Sequence, residues 1–308
     1  MTRVTAADTP DTRALTAAST RSPDRRPRFR GRVVFRGLGR HLVLIGTTAL
    51  VLLPFLWVLS SSVKTLPEFF HRPPTFLPQA PTLDNFFFVF NEFPVVWKFY
   101  LNSVIVTFTS VIITVIVATL AGYGFARLHF PYRDQLFWVM VLTLYFPTQI
   151  VSIFAIFELT SAMGLQDTHL GLILPYVGSL HLPMHIFIMR TVFREIPREL
   201  EEAASLDGAS PFQTFRRVML PLAYPGVVVI TILSFAFTWG EYLLARTLTL
   251  DNAMTIGVGL TTVQTGMGST EFPVIAAAYF GAIVPPIVLF IVLQRWFMKG
   301  LTAGALKL

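Results

Sequence analysis

The sequence predicts an all-α integral membrane protein with six transmembrane helices and both termini in the cytoplasm. Three observations carry that prediction: a deficit of charge, six apolar runs that approach the length of a bilayer crossing, and a one-sided distribution of Lys and Arg. Of 308 residues, 54% are hydrophobic and only 13% are charged, whereas soluble domains run at about a quarter charged. Mean hydropathy is +0.63. So few ionic groups cannot cover a soluble globule, so the bilayer is the expected solvent. Cysteine is absent, which excludes a disulfide framework, a cysteine zinc cluster and a thiol nucleophile.

Residues 1–40 stand apart as a disordered, basic cytoplasmic tail: ten arginines fall between Arg3 and Arg40, opposed by Asp8, Asp11 and Asp24. The apolar run that follows is too long for a secretory signal, and the Arg25-Arg26 pair lies too far from it for a twin-arginine signal. Residues 41–308 form the transmembrane domain. Its spans are read at 41–63, 99–126, 135–163, 170–192, 222–245 and 273–297, each near the roughly 20 residues a crossing needs. Pro147 interrupts the third, Pro175 and Pro183 the fourth, and Pro285-Pro286 the sixth. Such breaks are tolerated where neighbouring helices satisfy the freed backbone groups. Lys64–Trp97, rich in Pro and Phe, reads as a partly ordered outer segment at the interface.

With the N-terminus inside, the outer segments hold only Lys64, Arg72, Lys98 and Arg246 of the 24 Lys and Arg residues. The positive-inside rule then places both termini in the cytoplasm. The same asymmetry accounts for the net charge of +7 without a nucleic-acid partner.

The stretch most informative about function lies in the inner loop 193–221. Pro197 suits a first helical position, and Glu199 and Glu201 suit the positive end of a helix. Leu200, Ala203 and Ala204 share one face, and Gly208 can end the helix in a left-handed conformation. Ser210, Pro211 and Gln213 make a capping box for a second helix. Phe212, Phe215, Met219 and Leu222 then recur as an apolar stripe. The result is two short helices with a sharp turn, the first presenting small residues to a close partner. A generic amphipathic interfacial helix would read similarly.

The spacing goes further. Glu202-Ala203-Ala204, Gly208, Val218 and Leu220-Pro221 reproduce the EAA loop of binding-protein-dependent ABC importers, with Val218 in place of the more usual Ile. Pro81-Thr82-Leu83-Asp84-Asn85-Phe86, Asn102-Ser103 and Gly122-Tyr123-Gly124-Phe125-Ala126-Arg127 resemble other segments of the same family. Gln294-Arg295 and Gly300–Lys307 resemble the second membrane subunit of the maltose permease and its relatives. The resemblance implies a type I ABC importer permease of the carbohydrate branch, in the cytoplasmic membrane of a prokaryote, working by alternating access. It implies a sister permease forming a heterodimer, two ATP-binding cassette ATPase subunits that bind ATP and Mg, and an extracytoplasmic solute-binding protein. It assigns ATPase coupling to Glu202, Ala203, Ala204, Asp207, Gly208, Leu220 and Pro221. The chain has no phosphate-binding loop of its own, so it is read as a non-enzymatic subunit without a cofactor.

Polar groups inside spans are functional candidates by default. Asn102, Gln149, His181, Trp239, Glu241 and Tyr242 are the candidate translocation-path residues. Glu241 suits either acceptance of hydrogen bonds from sugar hydroxyls or pairing with Arg246. His181 and His185 lack a carboxylate or third ligand, so no metal site is read there. Asn102 and Gln149 suit either the path or a bridge between helices. The segment Trp239-Gly240-Glu241-Tyr242 departs from the family's Trp-Asn-Glu-Phe, which puts its path chemistry in question. One acid among neutral polar groups points to a neutral or weakly charged carbohydrate, with an anionic sugar such as glycerol phosphate left open where the sister subunit supplies the opposite charge. The rival reading is a secondary transporter or channel, which would show an internal repeat or an acid–base relay; neither is seen, and it leaves the EAA loop unexplained.

Overall fold

The computed structural model describes residues 30–145, 148–178, 181–267 and 271–305. Most of the tail read over 1–40 therefore lies outside the described residues, as do the side chains of Gln149 and of the C-terminal residues from 298. Every element among the described residues is helical. In chain order they are α1 (Arg30–Ser62), α2 (Leu66–Phe69), α3 (Asp84–Glu92), α4 (Pro94–Arg127), α5 (Arg133–Leu142), α6 (Thr148–Ala162), α7 (His169–Val177) and α8 (His181–Glu195). There follow α9 (Glu199–Leu206), α10 (Pro211–Thr214), α11 (Leu220–Leu222), α12 (Tyr224–Trp239), α13 (Leu243–Leu248), α14 (Ile256–Met267) and α15 (Phe272–Ala305). A 3-10 turn at Thr143–Tyr145 follows α5, and a π-turn at Phe215–Met219 joins α10 to α11.

The chain forms two compact units, one ending at Pro54 and one beginning at Phe55. In the first, α1 starts at Arg30 rather than at His41. No proline follows Pro27 until Pro54, and arginine is a good helix former, so the apolar helix continues back into the basic segment. From Leu42 to Val51 its large apolar residues are all exposed.

The second unit is built on α4, which packs against α7, α8, α12 and α14. Ser103, Thr107, Ser110 and Thr114 recur along one buried face of α4. Such small hydroxyl residues let helices approach closely. Toward the C-terminal end of α4, Gly122 makes the approach closest: a Cβ there would lie 2.5 Å from the Cβ of Met189 on α8. Two apolar clusters result. Val96, Phe99, Leu172, Phe235, Trp239 and Ile256 belong to one. Ala118, Met189, Phe193, Phe215, Met219 and Ile230 belong to the other, next to the loop that carries the EAA residues.

Among the described residues, three helical segments are long and apolar enough to cross a membrane: Gly39–Ser62, Pro94–Arg127 and Phe272–Phe297. Two bent pairs raise the number to five, α7 with α8 at 46° and Pro211–Leu222 with α12 at 73°. The run expected at 135–163 is divided among α5, the 3-10 turn and α6. Pro147 sits in sequence at this division, where a missing N–H and a restricted preceding residue disfavour a continuous helix. The segment after α1, expected to be only partly ordered, is ordered. Buried Lys64 donates to the carbonyl of Thr75, and Asn85 Nδ2 donates to the carbonyls of Ser62 at 2.9 Å and Lys64 at 2.8 Å.

Candidate functional site

The loop after α8 folds as its sequence suggests, with one shift at each end. α9 begins at Glu199 with Arg198 at its N-cap, so Pro197 precedes the helix instead of opening it. Glu199, Glu201 and Glu202 occupy the first turn, where the helix dipole favours negative charge. Gly208 has φ +78°. The N–H of Gly208 donates to Ser205 and that of Ala209 to Ala204, both at 3.0 Å. That pair of bonds is a Schellman ending, which the left-handed glycine permits without a Cβ penalty. Ser210 and Gln213 form the capping box at 3.3 and 2.9 Å.

The apolar stripe is only half kept: Phe215 and Met219 are buried, while Phe212 and Leu222 are exposed. For Leu222 the reason is the π-turn, in which the Leu220 N–H donates to Phe215. One extra residue per turn throws the 3.6-residue register off beyond Met219. Pro221 offers no N–H to the carbonyl of residue 217 and would crowd it, so a widened turn relieves the contact. Glu202, Ala203, Asp207, Gly208 and Pro221 are exposed, while Ala204 and Leu220 are half-buried. Leu206, 89% exposed, stands at the turn.

Arg127, at the end of α4, fastens this loop to the bundle. Its side chain is 5% exposed and its Nε lies 3.5 Å from Glu201 Oε1. Its Nη2 donates to the carbonyls of Phe193 at 2.6 Å and of Ile196. One guanidinium thus joins α4, the end of α8 and α9. Arg127 closes a motif segment and Glu201 stands at a helix start 74 residues on, so nothing in their spacing pairs them.

The six path candidates divide sharply. Asn102 is buried and bridges: its Nδ2 donates to the carbonyls of Asn252 at 2.8 Å and Met254 at 2.9 Å, and its Oδ1 meets His169 Nε2 at 2.8 Å. Trp239 is a packing group, its Nε1 donating to Ala282 at 2.9 Å and its ring stacked on Phe235 at 5.4 Å. Tyr242 is exposed. Gln149 lies outside the described side chains. Among the described candidates, His181 and Glu241 come together, on a cavity of about 580 Å³ between α4, α6, α7, α8 and α12. The Glu241 carboxylate accepts from Tyr176 Oη at 2.7 Å, from the Leu244 N–H at 2.8 Å and from the Ala245 N–H at 2.9 Å. These are the partners it has in place of Arg246, which is exposed. Tyr176 was missed in sequence; a phenol in mid-span beside Pro175 needs a partner, and that need is the signal that could have found it.

A further group, also missed, ties two loops together. Asp167, with φ +53°, accepts backbone N–H bonds from Leu250, Asp251, Asn252 and Ala253 at 2.9–3.2 Å, and one from Asn252 Nδ2 at 3.0 Å. Partial burial pushes its carboxyl up, but the N–H donors outweigh this and hold it down at about 2.

Residues 114–303 match the family described as "binding-protein-dependent transport system inner membrane component". The chain belongs to that family. The matched range holds the EAA loop, the cavity and Asp167. Among relatives of this transport family, the sulfoquinovosyl glycerol transport system permease protein SmoH of Agrobacterium fabrum is 36% identical over 273 residues, 87% of this chain and 94% of the relative. The trehalose transport system permease protein SugB of Mycobacterium tuberculosis is 38% identical over 258 residues, 83% of this chain and 92% of the relative. In fold, the chain resembles a crystal structure of a bacterial ABC transporter involved in import of the acidic polysaccharide alginate. That match has a TM-score of 0.77 at 22% identity, covering 88% of this chain and all of the other. The chain is thus a multi-pass membrane component of a bacterial transport system rather than a member of an enzyme family.

Proposed function

We propose that this chain is the permease subunit of an ATP-binding-cassette importer for a sugar or sugar-like solute, working by alternating access in the cytoplasmic membrane. The observation that carries the proposal is the EAA loop. It presents Glu202, Ala203, Asp207 and Gly208 to solvent on a helix whose end is fixed by a Schellman turn. Arg127 ties that helix to α4 and α8. A surface of small residues, with exposed Leu206 beside it, fits close docking of a partner ATPase, and Glu202 offers a carboxylate to one of its basic residues. Leu220 and Pro221 set the turn where the loop re-enters the bundle. ATP and Mg belong to two ATPase partners; a sister permease and a solute-binding protein complete the assembly.

The reading has six spans with both termini inside: α1, α4, α5 with α6, α7 with α8, α12, and α15. The 73° bend before α12 supports a loop lying along the membrane surface rather than extending the fifth span. Relatives named for trehalose, sulfoquinovosyl glycerol and sn-glycerol-3-phosphate transport support a polyhydroxylated solute.

The test is uptake in cells or proteoliposomes carrying Gly208→Pro or Ala204→Trp. Both variants are expected to reach the membrane and to lose uptake and ATPase association. Unchanged uptake in both overturns the assignment of the loop.

A further inference from the structure

The N-terminal end of α5 and the C-terminal end of α8 carry a cluster of charge that the transport reading does not use. We propose that this cluster binds the headgroup of an anionic phospholipid of the cytoplasmic leaflet, whose acyl chains lie along α5. The proposal rests on the six-span reading above, which puts these two helix ends on the cytoplasmic side.

The charge there is unbalanced. Asp134 Oδ1 accepts from Arg190 Nη2 at 2.9 Å, and Asp134 Oδ2 accepts from Arg133 Nη2 at 3.2 Å. Exposed Arg194, one helical turn beyond Arg190, acts on the same carboxylate. Three guanidiniums thus share one carboxylate, which leaves two positive charges in excess. Arg133 and Arg194 also repel the charge of Arg190. A bound anion relieves that repulsion, because an opposite charge within a few ångströms favours the charged form of each group.

The cluster is also held in place. Arg190 Nε donates to the carbonyl of Phe125 at 3.3 Å, and its guanidinium lies 3.7 Å over the ring of Phe137. That ring is itself buried and stacks on Phe187 at 6.0 Å. Arg133 Nη1 donates to the carbonyl of Leu128 at 3.2 Å. Among the described residues, Arg133 and Arg190 therefore each use two of the five N–H groups of a guanidinium. The planar fork of arginine matches the paired oxygens of a phosphate diester. Donors already fixed by the fold need little ordering when the anion arrives.

The surface beside the charges identifies the ligand as a lipid. Leu136, Val139 and Leu142 recur every three residues along α5 and are exposed, with exposed Trp138 among them, while Phe137 and Val141 are buried. Tyr132, exposed at the N-cap of α5, and Trp138 are the aromatic types that sit at the headgroup level. An apolar stripe with a cationic cluster at one end complements an amphipathic molecule with an anionic end. Basic pockets between spans on the cytoplasmic side take acidic headgroups for the same reason. A soluble phosphate would use the charges and leave the stripe uncovered. Phosphatidylcholine would use the stripe but bring a cation to a place already in positive excess.

The test uses the assembled importer in bilayers of phosphatidylcholine and phosphatidylglycerol, with one lipid or the other brominated on its acyl chains. The tryptophan fluorescence that disappears in Trp138→Phe reports quenching at α5. Phosphatidylglycerol is expected to be preferred there by at least about fivefold, and Arg194→Gln should lower the preference about fivefold, the effect of one arginine near an anionic surface. Asp134→Asn should raise the preference, since it removes the competing carboxylate; a merely structural ion pair predicts no gain. Equal quenching by the two lipids overturns the site, as does a preference that Arg194→Gln leaves unchanged. Quenching by neither lipid means that the sister permease covers α5, and overturns it too. Displacement of the lipid by excess inorganic phosphate marks a soluble-anion site and overturns the lipid assignment. The chain has no cysteine, so a membrane-impermeant maleimide reports the side of Arg194→Cys on this chain. Labelling from outside overturns the orientation, and the leaflet named here with it, whereas inside labelling with equal quenching overturns the lipid site alone.

Discussion

At the scale of single residues, two side chains hold more than their neighbours. Arg127 is one. Removing its guanidinium leaves Glu201 without its cation and the carbonyls of Phe193 and Ile196 without a donor. Charge-assisted bonds in such a shielded place contribute about 1.5–3 kcal/mol each, and losing one partner of a buried pair costs about 3–5 kcal/mol; Glu201 is partly exposed, so the lower part of that span applies. Arg127→Ala is expected to release α9 to protease and to reduce uptake more than membrane insertion. Arg127→Lys should restore little, because Nη2 and Nε reach Phe193, Ile196 and Glu201 from separate corners of a planar fork, a span that a single compact ammonium does not cover. Limited proteolysis with immunoblotting checks this. The second residue is Asp167. Its Asn variant presents an amide where N–H groups point, with an expected loss of about 1–2 kcal/mol. The folded carboxyl sits at about 2 against an ordinary value of 3.8. A depressed folded value contributes stability above the ordinary carboxylate range and loses it as pH falls through the folded value. The difference in melting temperature between the parent and Asp167→Asn should therefore be constant from neutral pH to about 4.5 and shrink below about 4, a comparison that thermal unfolding in detergent measures.

At the scale of elements, the α4–α8 contact and the EAA loop show how a short pattern becomes a geometry. Gly122 lets two helices touch at the level of the backbone. Adding a Cβ puts it 2.5 Å from Met189 Cβ and 3.0 Å from the Arg190 backbone nitrogen. Gly122→Ala is expected to cost about 1–3 kcal/mol by overpacking, and Met189→Ala should not relieve it, since the contact is with the Cβ that alanine keeps. Melting of the single and double variants decides this. In the loop, the capping box at Ser210 and the left-handed turn at Gly208 were legible because both depend on neighbours within a few residues. The π-turn was not. It answers to Pro221 and to burial of Phe215 and Met219 against Tyr123 and Phe193, and a periodic stripe drawn at 3.6 residues per turn cannot express it.

At the scale of the whole molecule, the long apolar helices carry much exposed apolar surface. Leu42, Ile45 and Leu50 of α1 are 61%, 65% and 72% exposed, and such surface calls for lipid or partner subunits. Topology gives a prediction at this scale. Green fluorescent protein fused to either terminus should fluoresce, and alkaline phosphatase fused there should be inactive. A phosphatase inserted in the outer segment 64–82 should be active; the reverse pattern would invert the assigned orientation.

The sequence by itself determined membrane residence, the helical class and the caps of the 193–221 loop, each from composition or from spacing within a few residues, where local physics suffices. The EAA loop and the family came from the resemblance of its motifs to those of known importers. The sequence also singled out His181 and Glu241, because polar groups in apolar spans are conspicuous. Only the tertiary structure separated them from Asn102 and Trp239, which turned out to be a bridge and an anchor. It alone joined Glu241 to Tyr176 across 65 residues and Asp167 to the 250–253 loop across more than 80, and it set Arg127 against Glu201. The reason is physical: a hydrogen bond between distant helices depends on how those helices pack, and packing is a property of facing surfaces that no local pattern contains.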